Sequence, residues 1–152
     1  MALDAFARRV IRDFPLGFVA TVTAEGRPAV SPKGTFLVLD DATLAFGNIR
    51  SPGTLANLAA TPAVEVNFVD PFLRKGVRIA GSAEILRRAD PGFAGLLPLW
   101  QEAWPALSGR ITALVRIRVE SAGVLTTPPY DDGATEEEMV ALYLDKYRRI
   151  YP

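Results

Sequence analysis

Six β-rich segments, separated by turns and by one short helix, constrain the fold of this chain more than any other feature. The segments are rich in β-branched and aromatic residues, and Gly, Pro, Asn and Asp lie between them. Short turns join the first three, which predicts an antiparallel meander. The whole pattern predicts a mainly β (α+β) protein, a closed or nearly closed six-stranded antiparallel barrel with peripheral helices. The predicted strands are residues 17–22, 29–39, 43–48, 63–69, 75–86 and 111–125.

Helices are predicted at the start of the chain and after the third strand. Apolar residues between Leu3 and Phe14 recur at helical spacing, so the first helix is amphipathic and ends near Pro15. Ser51 is a suitable N-cap and Pro52 suits the first helical position, which predicts a short helix that follows the third strand.

The later helical segments are of two kinds. Pro91, Pro98 and Pro105 interrupt an apolar stretch and predict short helical turns instead of one continuous helix. Near the C-terminus, Thr135 and Glu138 form a capping box, which predicts the start of a final helix.

The composition excludes several classes of function. The chain has 152 residues, 17 basic and 17 acidic side chains, and neither histidine nor cysteine. This balance gives no field that attracts nucleic acid, and no segment reaches the roughly 20 apolar residues of a membrane helix. Histidine-based catalysis, disulfides and cysteine-ligated metal are excluded. We expect one soluble, cytoplasmic domain over residues 1–152, with no targeting signal, membrane contact or metal site.

Three segments combine features that favour an anion. The first is V-S-P-K-G, which places Lys33 in a strand beside a proline. The second is F-G-N-I-R-S-P-G-T, which leads from a strand into a helix N-terminus, where free N–H groups and the helix dipole favour negative charge. The third is R-K-G-V-R at residues 74–78. The alternative is purely structural: Ser51 caps its helix, and Lys33 and Arg78 are ordinary surface cations.

The order of these segments from Gly17 to Leu86 resembles the split-barrel flavoprotein family that includes the pyridoxamine 5′-phosphate oxidases. That resemblance implies a six-stranded split barrel, a homodimer, and FMN bound through its phosphate and ribityl chain. The residues that it implies for cofactor binding are Ser31, Pro32, Lys33, Gly34, Phe46, Gly47, Asn48, Arg50, Ser51, Thr54, Lys75 and Arg78. For Lys33 it leaves two roles open, a phosphate counter-charge or a donor near the flavin N1–C2 edge.

The sequence departs from the vitamin B6 oxidases of that family. Pro52, Gly53 and Thr54 stand where those enzymes have an arginine–lysine pair, and their C-terminal arginine and histidine pattern is absent. The resemblance therefore implies an FMN-binding oxidoreductase with a small organic substrate and the flavin at a homodimer interface, but not oxidation of pyridoxamine phosphate. Catalytic residues are not identified, because the flavin itself carries the electron chemistry.

Other interpretations stay open. The same fold also suits the deazaflavin F420, whose acidic tail favours basic residues such as Arg27, Lys33 and Arg50. A second alternative is a non-catalytic module that binds flavin. Heme is disfavoured as a ligand because residues that commonly serve as its axial ligands are scarce in the sequence. Trp100 and Trp104, four residues apart, either flank a substrate slot or belong to the core or a dimer interface.

Overall fold

The computed structural model describes residues 2–152, and its strands form a single antiparallel sheet covered by helices. The elements in chain order are α1 Ala5–Asp13, β1 Gly17–Val22, β2 Pro28–Lys33, β3 Phe36–Asp40, β4 Thr43–Asn48, α2 Pro52–Ala60, β5 Ala63–Asp70, β6 Lys75–Arg87, α3 Pro91–Ala103, α4 Pro105–Ser108, β7 Ala113–Leu125, α5 Pro128–Asp131 and α6 Glu136–Ile150.

The predicted mainly β, α+β class is confirmed, but the predicted number of strands is wrong. The sheet of residues 2–152 has seven strands in the order β2-β1-β5-β6-β7-β4-β3. The predicted strand 29–39 is divided at Gly34 and Thr35 into β2 and β3, which lie at opposite edges of the sheet. The predicted meander is therefore two separate hairpins, and the sheet is open between its edge strands, an arrangement consistent with a split barrel.

Thr35 forms the corner that separates β2 from β3. Its hydroxyl donates to Gly47 O and accepts from Gly47 N, both at 3.0 Å. The indole Nε1 of Trp100 donates to Thr35 O at 2.8 Å. Because these three hydrogen bonds hold the corner against β4 and α3, the chain leaves β2 and crosses to the other edge of the sheet.

Two apolar clusters stabilise this sheet from its two faces. In the larger cluster the Phe36 ring packs against Phe46 and Phe68, with ring centroids 5.1 and 4.8 Å apart, and α1 covers this cluster with Val10 and Ile11. The smaller cluster contains Trp100, which is fully buried, and lies under α3. Burial at this level is the main stabilising term of the fold. Of the two open interpretations of the tryptophan pair, the structure supports the core for Trp100.

Beyond residue 90 one helix prediction is wrong and one is confirmed. Residues Pro91–Ala103 form one helix of 13 residues that contains Pro98. Its buried side chains Phe93 and Trp100 lie on either side of the proline, so packing on both sides of the missing N–H holds the helix together. The capping box of Thr135 and Glu138 at the start of α6 is confirmed. No helix in residues 2–152 has the length and apolar character needed to cross a membrane.

Candidate functional site

The ends of β2 and β4, the start of α2 and the loop after α4 surround one pocket of about 350 Å³. Pockets that hold small molecules range from about 300 to 1,000 Å³, so this volume admits part or all of an organic ligand. The residues that line it are Pro32, Lys33, Gly34, Thr35, Gly47, Ile49, Arg50, Ser51, Leu107 and Arg110. Six of the residues predicted for cofactor binding thus lie together around one space: Pro32, Lys33, Gly34, Gly47, Arg50 and Ser51.

Gly47 allows the wall of this pocket to close. A Cβ atom at this position would lie 2.7 Å from Ile111 Cδ1 and 3.2 Å from Thr35 Oγ1. A carbon–carbon contact of 2.7 Å is too short, so a larger residue would force the buried side chain of Ile111, in the loop that follows α4, to shift. The glycine therefore sets how closely the two walls of the pocket approach each other.

Lys33 is the most buried charged side chain of the pocket, with 7% of its surface exposed. Its Nζ donates a hydrogen bond to Ser51 Oγ, which belongs to the residue that precedes α2. Burial lowers the pKa of Lys33 below its ordinary value of 10.5, because an ammonium loses solvation there. A bound anion in the pocket would restore favourable interactions to this cation.

Ser51 does not cap α2 in the way that its position suggests. Its side chain makes no hydrogen bond to the first turn of the helix and accepts from Lys33 instead. Pro52 has no N–H, and helix geometry leaves the N–H groups of Gly53 and Thr54 without intrahelical acceptors. The Ser51 hydroxyl lies beside the lysine in the wall of the pocket, and the free N–H groups of the helix start follow it directly in the chain, an arrangement that suits phosphate.

The charge around the pocket is one-sided. Lys33, Arg50 and Arg110 line it, and no carboxylate does so among residues 2–152. None of the three makes an ion pair with another described residue, whereas Arg8, Arg9 and other cations of the chain pair with aspartate or glutamate. Because the whole chain is electrically balanced, this local excess of positive charge is the distinctive electrostatic feature of the site.

Asn48 lies at the end of β4, next to the pocket, and is 2% exposed. Its Nδ2 is 3.5 Å from Thr112 Oγ1, and its Oδ1 is buried without a hydrogen-bond partner in the protein. A buried carbonyl oxygen without a donor is costly, and such groups often mark a place where a ligand or water donates. Asn48 does not line the pocket, however, so its role as a ligand-binding residue stays a prediction.

The remaining predicted residues lie elsewhere. Ser31 is half-buried in β2, Phe46 lies in the core, and Thr54 is buried in α2, none of them lining the pocket. Lys75 Nζ lies 3.0 Å from Glu136 Oε1 and 4.2 Å from the centroid of the Tyr130 ring, so it binds the C-terminal segment.

Arg78 is also outside the pocket. It is exposed on the outer face of β6, with its Nε 3.8 Å from Glu65 Oε1. Conversely, Arg110 belongs to the pocket although the sequence does not single it out. It follows α4 in a loop with no anion-binding motif, and the pairing of β4 with β7, which begins at Asn48 and Ala113, brings that loop to the end of β4.

The sequence matches the family described as pyridoxamine 5′-phosphate oxidase over residues 3–128. HupZ from Group A Streptococcus is 27% identical, with a TM-score of 0.69 and coverage of 80% of this chain and 92% of that chain. An FMN-binding protein from Syntrophomonas wolfei is 12% identical, with a TM-score of 0.68 and coverage of 81% and 86%. HutZ, the heme storage protein of Vibrio cholerae, is 20% identical, with a TM-score of 0.66 and coverage of 83% and 95%. Among curated proteins, none matches the sequence significantly.

Proposed function

The chain belongs to the pyridoxamine 5′-phosphate oxidase family, and we propose that it is an FMN-binding flavoprotein, an oxidoreductase that acts on a small organic substrate. The observation that carries this proposal is the pocket in which Lys33, Arg50 and Arg110 meet beside Ser51 without a carboxylate among the described lining residues. A phosphate at this place would meet the ammonium, two guanidinium groups and the start of α2. When bound, the flavin ring supplies the acceptor for a hydride or for electrons.

The residues of the chain would divide the work of holding this cofactor. Lys33 and Ser51 form the fixed floor, because the lysine is buried and the two side chains are hydrogen-bonded. Arg50 and Arg110 are exposed at the rim, where they close on the phosphate from the solvent side. Pro32 and Gly34 leave the edge of β2 without bulky groups, which allows a flat ring to approach the strand.

We also propose that the protein is a homodimer that holds the flavin at its interface. An apolar patch lies on the outer face of the sheet beside the pocket: Phe18, Val22 and Val30 are 44%, 38% and 66% exposed. Phe18 pairs with Pro32, which lines the pocket, so the patch and the pocket are continuous. A second copy that covered the patch would also border the pocket and shield a bound ring from water.

Heme is the alternative that the likeness to HutZ raises, and the side chains of this chain oppose it. The chain has no histidine and no cysteine, and Met139, in α6, is 4% exposed and does not line the pocket. The histidine and cysteine ligands of heme iron are therefore missing, and neither Met139 nor any tyrosine lines the pocket. F420 is the other alternative, since a deazaflavin with an acidic tail would meet the same cations.

The first test is the visible absorption spectrum of the purified protein, followed by mass spectrometry of whatever acid releases. Two flavin bands and released FMN are the expected result. A single deazaflavin band with released F420 would show that the ligand is F420 and not FMN. A Soret band would show that the ligand is heme. A colourless protein that takes up neither added FMN nor added F420 would overturn the proposal.

The proposed dimer is tested separately by light scattering after size-exclusion chromatography. Wild-type protein is expected at twice the chain mass, and Val30→Asp is expected to shift it towards the monomer and to weaken FMN binding. Ala56→Asp, at an exposed position of α2, is the control and should leave both the mass and FMN binding unchanged. A wild-type monomer that binds FMN would contradict the interface.

A further inference from the structure

The loop that carries Arg110 is fixed on the pocket by its backbone. Between α4 and β7, Arg110 N donates to Leu107 O at 2.9 Å and Ile111 N donates to Ser108 O at 3.2 Å. Thr112 N then donates to Asn48 O at 2.9 Å, which ties the loop to the end of β4. An exposed arginine on a loop is normally free to move, but here the Cα of Arg110 is held at the rim of the pocket.

Arg88, which follows β6, supports the same loop from its other side. Its Nη2 donates to Ile111 O at 2.6 Å and to Gly109 O at 3.1 Å, the two carbonyl groups that flank Arg110. The guanidinium also lies over the Phe93 ring, 5.6 Å from its centroid, so α3 holds the arginine in place. Arg88 does not line the pocket. Its contacts therefore act on the position of Arg110 and not directly on a ligand.

Arg110 has the chemistry that a phosphate needs. A guanidinium presents parallel N–H donors that match two phosphate oxygens, and it remains charged at any physiological pH. Among the described residues, none supplies a carboxylate to Arg110, so no internal ion pair has to be broken when an anion binds. Lys33, by contrast, already donates to Ser51.

We propose that Arg110 is a phosphate-binding residue of the pocket, that Arg88 is the positioning residue that holds it there, and that the two make the site select FMN over riboflavin. This inference rests on the proposed function, which it deepens by naming what distinguishes the phosphorylated cofactor from its unphosphorylated form. The preference follows from geometry: riboflavin has no group for the third cation to bind, so a change at Arg110 affects one ligand and not the other.

Fluorescence titration of the apoprotein with FMN and with riboflavin tests the inference. Arg110→Gln is expected to weaken FMN binding about tenfold, the effect of losing one charge-assisted contact, and to leave riboflavin binding unchanged. Arg110→Lys is expected to recover part of the loss. Arg88→Gln is expected to weaken FMN binding by a smaller factor, again without an effect on riboflavin. Arg87→Gln is the matched control, because it removes the neighbouring exposed arginine.

The double variant Arg88→Gln with Arg110→Gln separates positioning from general damage. If Arg88 acts through Arg110, the double variant binds FMN no more weakly than Arg110→Gln alone. Losses that multiply, or a loss of riboflavin binding in Arg88→Gln, would overturn the positioning role. FMN binding that is equal in wild type and Arg110→Gln would overturn the phosphate contact while leaving the proposed function intact.

Inorganic phosphate provides an arm of the test that does not depend on a flavin. If the wild-type protein binds neither FMN nor riboflavin, the proposed function is overturned. The contact between Arg110 and phosphate is then tested by the change in Tm that millimolar phosphate causes, with the ionic strength matched by chloride. A shift that is present in wild type and lost in Arg110→Gln supports the phosphate-binding role. Equal shifts in the two proteins, or no shift in wild type, overturn it.

Discussion

Replacing Lys33 by methionine should weaken FMN binding and stabilise the apoprotein at the same time. Methionine keeps the length and apolar stem of lysine but removes the ammonium that donates to Ser51. Loss of a charge-assisted contact to phosphate costs about 1.5–3 kcal/mol, which corresponds to roughly 10- to 150-fold in affinity. In the apoprotein Lys33 as a residue is 7% exposed, and no carboxylate of the described residues forms an ion pair with it, so removal of its ammonium relieves a desolvation cost. We expect a gain of about 1 kcal/mol, or about 2–4 °C in Tm for a domain of this size.

The cost of burying the Lys33 ammonium also predicts how the stability difference between wild type and Lys33→Met changes with pH, which a difference in side-chain packing does not. Burial lowers the pKa of Lys33 below 10.5, so the unfolded chain keeps the proton over a pH range in which the folded chain has lost it. The unfolding free energy of wild type therefore rises with pH in that range, and the advantage of Lys33→Met is full at neutral pH and shrinks as the pH approaches 10.5.

Urea denaturation at pH 7 and pH 10, together with FMN titration at pH 7, measures both effects. Lys146→Met is the control, since Lys146 is an exposed lysine of α6, and it should change neither quantity. The reasoning is refuted if Lys33→Met binds FMN like wild type, or if its apoprotein is no more stable than wild type at pH 7.

Two further predictions concern close contacts and the C-terminal helix. Gly81→Ala would place a Cβ atom 2.2 Å from the backbone oxygen of Arg118, at the bulge of β6. This substitution should lower the free energy of unfolding, measured by urea denaturation, by about 1–3 kcal/mol. Gly95→Ala on α3 is the control, because its Cβ would have no neighbour within 4 Å, and it should not destabilise the protein. Arg74→Ala should expose α6 to limited proteolysis, because the Arg74 guanidinium lies 3.8 Å from the centroid of the Tyr143 ring on that helix. FMN affinity should not change, because α6 lies beyond the family match over residues 3–128. A helix that stays protected in the variant would contradict the first expectation, and weaker FMN binding would contradict the second.

Most strands could be predicted from the sequence because the signal for them is local. In β5, Val64, Val66 and Phe68 alternate with exposed residues, and that pattern alone indicates a half-buried strand. The corner at Thr35 could not be predicted in the same way. Its hydrogen bonds come from Gly47 and Trp100, which are 12 and 65 residues away, so the segment reads as one continuous strand until the partners are in place.

In the candidate site, too, some residues could be predicted from local sequence and others could not. Lys33, Arg50 and Ser51 lie in short motifs beside a strand end or a helix start, where the backbone itself indicates an anion. Lys75 has an equally suggestive neighbourhood in sequence, but Glu136 and Tyr130, both distant in the chain, bind it elsewhere. Arg110 has no local signal at all and reaches the pocket only through the β4–β7 register. Strand pairing therefore determines which cations lie in the same site, and the residues of a short motif do not predict that pairing.

A shared fold hosts different ligands, so the ligand of this chain depends on the side chains around the pocket and not on the fold. In this chain the decision depends on charge. Heme iron commonly takes histidine or cysteine as an axial ligand, and the chain has neither. A phosphate needs only cations and donors that are free to turn towards it, and Lys33, Arg50 and Arg110 supply these. Because three like charges in one pocket repel one another, a compact dianion is the ligand that would stabilise them best, and FMN would supply one whereas riboflavin would not.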